Sequence, residues 1–93
     1  MQIINLKDKN IIITGAASGI GKETAITASR LGANVIMLDL SEDGLKETTY
    51  LLDGNNHSYY ITDLTDTESI STIIKEIIEK NGIINGLVHC AGI

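Results

Sequence analysis

The stretch Thr14-Gly15-Ala16-Ala17-Ser18-Gly19-Ile20-Gly21 constrains this chain more than any other. It follows the β-branched run Ile11-Ile12-Ile13 and precedes a helical pattern from Lys22 to Leu31. A strand that breaks at a glycine and restarts as a helix aims its first-turn N–H groups outward, where they have no partner within the helix. The helix dipole adds partial positive charge at the same end. An anionic group, above all a pyrophosphate, suits such a turn, and glycines let the backbone bend tightly and come close to it.

The glycine spacing narrows the choice. G-x-x-x-G-x-G is not the G-x-G-x-x-G of the commonest dinucleotide folds. Nor is it a Walker A loop, which would need glycine in place of Ala16 and Ser or Thr in place of Glu23. A glycine-rich turn without a ligand is the alternative at this point.

The rest of the chain alternates strands and helices. Asn5 to Asn10 is a polar lead-in anchored by Leu6, and Ile11 to Ile13 reads as a fully buried central strand. Ile20, Thr24, Thr27, Ala28 and Leu31 recur at helical spacing and predict the inner face of the first helix, which Gly32 ends. Asn34 to Leu38 is the second strand and closes on Asp39. Ser41 caps the second helix, with Glu42 and Asp43 in its first turn; Leu45, Thr48, Thr49 and Leu52 form its inner face, and Gly54-Asn55-Asn56 stops it.

His57 to Ile61 is the third strand, followed at once by Asp63-Leu64. Thr65 to Glu68 fits a capping box for a third helix. Its isoleucine stripe, Ile70, Ile73, Ile74, Ile77 and Ile78, reads as core, and Gly82 terminates it. Leu87 to Cys90 is the fourth strand. Short connections between alternating elements predict right-handed crossovers and a parallel sheet, with strand order 3-2-1-4, the first half of a doubly wound α/β Rossmann-like fold.

Two acids stand at strand ends. In dinucleotide folds an acid about 20 residues beyond the glycines accepts hydrogen bonds from the adenosine ribose, and Asp39 holds that place. A carboxylate there repels a 2′-phosphate, and neither Ala17, Ser18 nor Leu40 supplies a cation to hold one, so NAD is favoured over NADP. A helix-capping or surface aspartate is the plainer alternative. Asp63 taken alone is ordinary turn chemistry.

Together these features resemble the short-chain dehydrogenase/reductase family over essentially the whole chain. Thr14, Gly15, Gly19, Ile20 and Gly21 match its T-G-x-x-x-G-I-G loop, and Asp63-Leu64 is similar to its acid-plus-aliphatic pair. His89-Cys90-Ala91-Gly92 stands where the family has Asn-Asn-Ala-Gly, with His89 and Cys90 replacing the asparagines. The resemblance implies a dinucleotide-binding role for Gly15, Ser18, Gly19, Ile20, Gly21, Asp39, Asp63 and Leu64, with Cys90, Ala91 and Gly92 beside the cofactor ribose. Backbone contacts would survive the asparagine replacements; amide side-chain contacts would not. A Cys–His nucleophile is disfavoured, because neighbours on a strand face opposite ways.

The family's chemistry is hydride transfer between a nicotinamide cofactor and a small carbonyl or alcohol. Its catalytic tyrosine, lysine, serine and asparagine lie beyond the Asn-Asn-Ala-Gly segment. Tyr50, Tyr59 and Tyr60 are not substitutes, since none precedes a lysine by four residues. No catalytic residue is therefore assigned. The chain reads as the cofactor-binding portion (residues 1–93) of an oxidoreductase, inactive alone. The alternative is a self-sufficient small NAD-binding regulatory module, and a methyltransferase-like reading is weaker because of the glycine spacing.

Composition excludes other partners. Seven basic against twelve acidic residues give a net charge of -5, the wrong sign for nucleic acid. Three tyrosines with no Phe or Trp offer no stacking platform for single strands. No apolar run approaches the ~20 residues that span a bilayer. The N-terminus lacks the pattern of a secretory signal, a single cysteine excludes an internal disulfide, and no Cys/His pair stands at metal-ligand spacing. A cytoplasmic protein is expected. So is pairing with a second copy through the fourth strand and third helix, which this length leaves without neighbours.

Overall fold

The computed structural model describes residues 5–90, leaving Ala91 and Gly92 outside the described residues. Four strands alternate with three helices: β1 (Asn10–Thr14), α1 (Gly19–Arg30), β2 (Asn34–Asp39), α2 (Glu42–Leu51), β3 (Ser58–Ile61), α3 (Thr67–Asn81) and β4 (Gly86–His89). All strand pairs are parallel, in the order β3-β2-β1-β4. This is the expected first half of a doubly wound sheet.

The period of two along a strand divides the apolar residues between two cores. Ile13, Val35 and Met37 face α1 and α2, where they meet Ala25, Ala28, Leu45 and Leu52. Ile12, Ile36 and Leu38 face α3, where they meet Ile77. Covering both faces explains why β1 and β2 read as unbroken β-branched and aliphatic runs rather than alternating ones. Ile11 departs from that expectation and is only half-buried, because its face meets an open groove.

The first helix turns differently from its sequence pattern. Its buried residues are Gly21, Ala25, Ile26, Ala28 and Ser29, whereas Ile20 is 61% exposed and Thr27 is also exposed. Small residues let α1 lie close to the sheet, so the packed face runs through glycine, alanine and serine. The stripe of Ile20, Thr24, Thr27 and Leu31 instead walls the groove, which holds about 900 Å³ between α1, Leu6 and Val88. The helix also begins at Gly19, within the glycine stretch, rather than at Lys22.

The cap of α3 is Asp66, not Thr65. Asp66 Oδ1 accepts from the Glu68 and Ser69 amides at 3.1 and 3.2 Å. Thr65 is taken up by Asp63, which accepts both its amide and its hydroxyl. Of the isoleucine stripe only Ile77 is fully buried, and Ile78 is half exposed. The second helix follows its pattern, with Ser41 as cap and Leu45, Thr48 and Leu52 buried. Among the described residues no helix is long and apolar enough to cross a membrane.

Candidate functional site

The carboxyl ends of all four strands meet at one edge of the sheet, where the chain leaves β1 through the glycine stretch. Gly15 has φ +70, a left-handed conformation that side chains resist, and its amide donates to the Leu38 carbonyl at 2.8 Å. The loop is thereby tied to β2 before α1 begins. Gly21 sits against the Gly15 carbonyl with no room for a side chain.

The start of α1 differs from the other two helix starts. Ser18 holds the N-cap position in extended backbone, but its side chain caps no amide, and the first turn carries no acid. Ser41 and Asp66 do cap their helices, and both first turns are acidic. The N–H groups at the start of α1 thus lack the side-chain oxygen that satisfies their counterparts.

Asp39 ends β2 beside that helix start. Its Oδ2 accepts from the Ala17 amide at 3.2 Å and its Oδ1 from the Ser41 amide at 3.1 Å. Beyond β3, Asp63 Oδ1 accepts from the Thr65 hydroxyl at 2.6 Å and the Thr65 amide at 2.9 Å. Those bonds, the hydroxyl first, hold the Asp63 carboxyl below the usual aspartate range. It is therefore ionised at neutral pH and still presents its second oxygen.

At the end of β4, Thr14 links the strands. Its Oγ1 accepts from the Cys90 amide at 3.1 Å and shares a 2.9 Å hydrogen bond with His89 Nδ1. His89 turns to Thr14 and away from Cys90, so the two form no nucleophile pair. Where the family resemblance expects asparagine, the strand-to-strand bond here is made by an imidazole.

These elements enclose a cavity of about 510 Å³. Gly15, Ser18, Gly19, Ile20 and Gly21 form one wall. Asp39, Asp63, Leu64 and Cys90 complete it, so every candidate residue within the described range lies on this one cavity. Leu40, Thr62 and Thr65, which no cofactor-binding motif singles out, line it as well. Their signal was positional, since each follows a strand that ends at the sheet's carboxyl edge. Among the described residues, none that lines the cavity is basic. The larger groove beside α1 lies away from both acids and is mainly aliphatic.

Comparison with known proteins agrees with this geometry. The sequence matches the short chain dehydrogenase family over residues 9–93. The chain belongs to that family. It is 36% identical over 92 residues to the 3-oxoacyl-[acyl-carrier-protein] reductase FabG of Thermotoga maritima, covering 97% of this chain and 37% of the relative. It is 39% identical over 90 residues to the oxidoreductase UcpA of Escherichia coli, covering 95% and 34%.

Among solved structures, the oxidoreductase yciK from E. coli superposes with a TM-score of 0.89 at 30% identity, over 100% of this chain and 41% of that one. A short chain dehydrogenase from Bacillus anthracis gives 0.87 at 31% identity, over 92% and 35%. The chain thus spans little more than a third of the length of the curated relatives it matches. Short chain dehydrogenases use nicotinamide dinucleotides, and the cavity carries features suited to one: an uncapped helix start, a glycine with no space for a Cβ, and a carboxylate at the end of β2.

Proposed function

We propose that this chain is the cofactor-binding portion of a short-chain oxidoreductase, that it takes NAD in preference to NADP, and that it has no turnover alone. The observation that carries this reading is the convergence of the glycine loop, Asp39 and Asp63 on one cavity without a basic residue in its lining. In this reading the start of α1 holds the pyrophosphate, Asp39 the adenosine ribose and Asp63 the adenine edge. Ile20, Leu40 and Leu64 supply apolar surface, and Cys90 lies by the cofactor ribose, a place the family resemblance also gives Ala91 and Gly92, which lie outside the described residues. A 2′-phosphate would meet the Asp39 carboxylate with no cation to offset it.

When bound, the nicotinamide would accept or deliver a hydride. The tyrosines offer no acid or base for that exchange. Tyr50 stands almost fully exposed on α2, and Tyr59 and Tyr60 pack against opposite cores. None of the three lines the cavity. The same reading brings a small carbonyl or alcohol as the whole enzyme's substrate, a cytoplasmic location and association with a second copy.

The test is a fluorescence titration of the chain with NADH and with NADPH, alongside Asp39→Ala. NADH is expected to bind more tightly. Hydrogen bonds to a charged group are worth about 1.5–3 kcal/mol, so Asp39→Ala should weaken NADH about 10- to 100-fold and narrow the preference. Equal or tighter NADPH binding by the unmodified chain overturns the NAD assignment. Sustained NADH production from NAD and an alcohol by the pure chain overturns its inactivity.

A further inference from the structure

Helix α2 contributes no residue to the cavity lining, yet it is fastened to the glycine loop at several points. The Thr48 side chain is fully buried, and its hydroxyl donates to the Ala16 carbonyl at 2.9 Å. The amide of that same peptide unit, on Ala17, donates to Asp39 Oδ2 at 3.2 Å. One peptide plane in the loop is thus held at both ends, its oxygen by α2 and its N–H by the carboxylate at the end of β2.

Gly44 packs against Ala17, the residue that carries that amide. A Cβ there would lie 2.7 Å from Ala17 Cβ and 2.9 Å from the Ala17 carbonyl oxygen, so only glycine allows α2 this approach. The Gly44 amide donates to Ser41 Oγ at 3.2 Å, and the Ser41 amide donates to the other oxygen of Asp39. Asp39 is therefore oriented by two amides, and α2 governs the placement of both.

On the reading of the cavity as a dinucleotide site, we propose that Thr48 and Gly44 are positioning residues for ribose recognition, acting through the Ala16–Ala17 peptide and Asp39. Without the Thr48 hydroxyl the Ala16 carbonyl loses its partner in a dry setting, and the peptide can rotate to seek another. Rotation takes the Ala17 amide from Asp39, and the carboxylate loses the orientation that separates a ribose hydroxyl from a 2′-phosphate. The consequence is specific: selectivity falls along with affinity.

The experiment titrates the unmodified chain, Thr48→Val, Thr48→Ser and Gly44→Ala with NADH and NADPH, where each protein is folded by circular dichroism. Ile26→Val, a core change elsewhere on α1, serves as the stability control. Thr48→Val should weaken NADH about tenfold and narrow the NADH-over-NADPH ratio, with Thr48→Ser restoring both. Gly44→Ala should do the same although alanine favours a helix, which separates loop position from helix stability. Ile26→Val should leave the ratio unchanged.

An unaltered ratio in Thr48→Val and Gly44→Ala overturns the proposal while leaving the cofactor reading standing. If the unmodified chain binds neither nucleotide, the cofactor reading falls. Amide exchange then decides whether α2 positions the loop: selective acceleration at Ala17 in Thr48→Val upholds that action, and unchanged exchange there overturns it.

Discussion

Gly21 lies so close beneath Gly15 that a Cβ on it would sit 2.0 Å from the Gly15 carbonyl oxygen. The obstacle is backbone, with no flexible side chain to move aside. Gly21→Ala must therefore lift α1 from the loop or break the turn at Gly15. The expected outcome is a large loss of stability, several kcal/mol in scale with other severe overpacking, and no measurable NADH binding. Urea unfolding followed by circular dichroism checks it. A melt matching the unmodified chain would show that the loop has slack the geometry denies.

Much of this arrangement was legible in the sequence because its determinants are local. The glycine stretch, Asp39 and Asp63 each sit within a few residues of a strand end, and apolar runs mark the strands themselves. The packed face of α1 was not legible in the same way. Gly21, Ala25 and Ser29 bury themselves by close approach, and a search for large apolar residues finds the stripe beside them instead. The shift from Thr65 to Asp66 as cap is a competition between adjacent residues that both suit the position, resolved when Asp63 occupies Thr65. The bond from Thr48 to Ala16 spans distant parts of the chain, so no local spacing announces it.

Acid should act on the two ends of the β3–α3 connection. The Asp66 carboxyl is held below the usual aspartate range by the Ser69 hydroxyl first, then by the Ser69 and Glu68 amides, against its own desolvation and Asp63. A carboxyl lowered on folding adds stability at pH values above its unfolded value, about 3.9, and loses it as pH falls through the folded one. At neutral pH Asp66→Ala should melt a few degrees below the unmodified chain. The gap should close as pH drops below about 4. A gap that persists undiminished at lower pH would mean the carboxylate is not the stabilising form.

His57 links the start of β2 to the end of the second helix. Its Nδ1 accepts from the Val35 amide at 3.0 Å, and its Nε2 donates to the Asp53 carbonyl. The Asp53 amide in turn donates to the buried Ser29 hydroxyl of α1 at 3.0 Å. The imidazole must carry its proton on Nε2, and β3 begins at Ser58, one residue later than its sequence pattern suggests. His57→Leu leaves the Val35 amide without its partner. The expected cost is about 1–3 kcal/mol in urea unfolding, with the NADH-over-NADPH ratio unchanged because the residue is remote from the cavity.

The remaining expectation concerns the open side of the sheet. Strand β4 pairs with β1 alone, so its outer edge offers unpaired backbone donors and acceptors. Nothing in Gly86–His89 guards that edge: it has no proline, lysine or arginine. Leu87 is 63% exposed and Ile83 77%, while on the opposite face Val88 and Ile11 border the apolar groove beside α1. Apolar surface thus flanks the edge on both faces, the α1 side as well as the α3 side that the sequence pointed to. A second copy pairing edge to edge would cover backbone and apolar surface together. Each copy carries a net charge of -5, so repulsion opposes the pairing and salt should strengthen it by screening. Sedimentation should therefore show association that rises with concentration and with ionic strength. Leu87→Lys should return the chain to monomer without lowering its melting temperature at low concentration, since that side chain packs little within one copy. A folded monomer at high concentration and moderate salt would defeat the expectation.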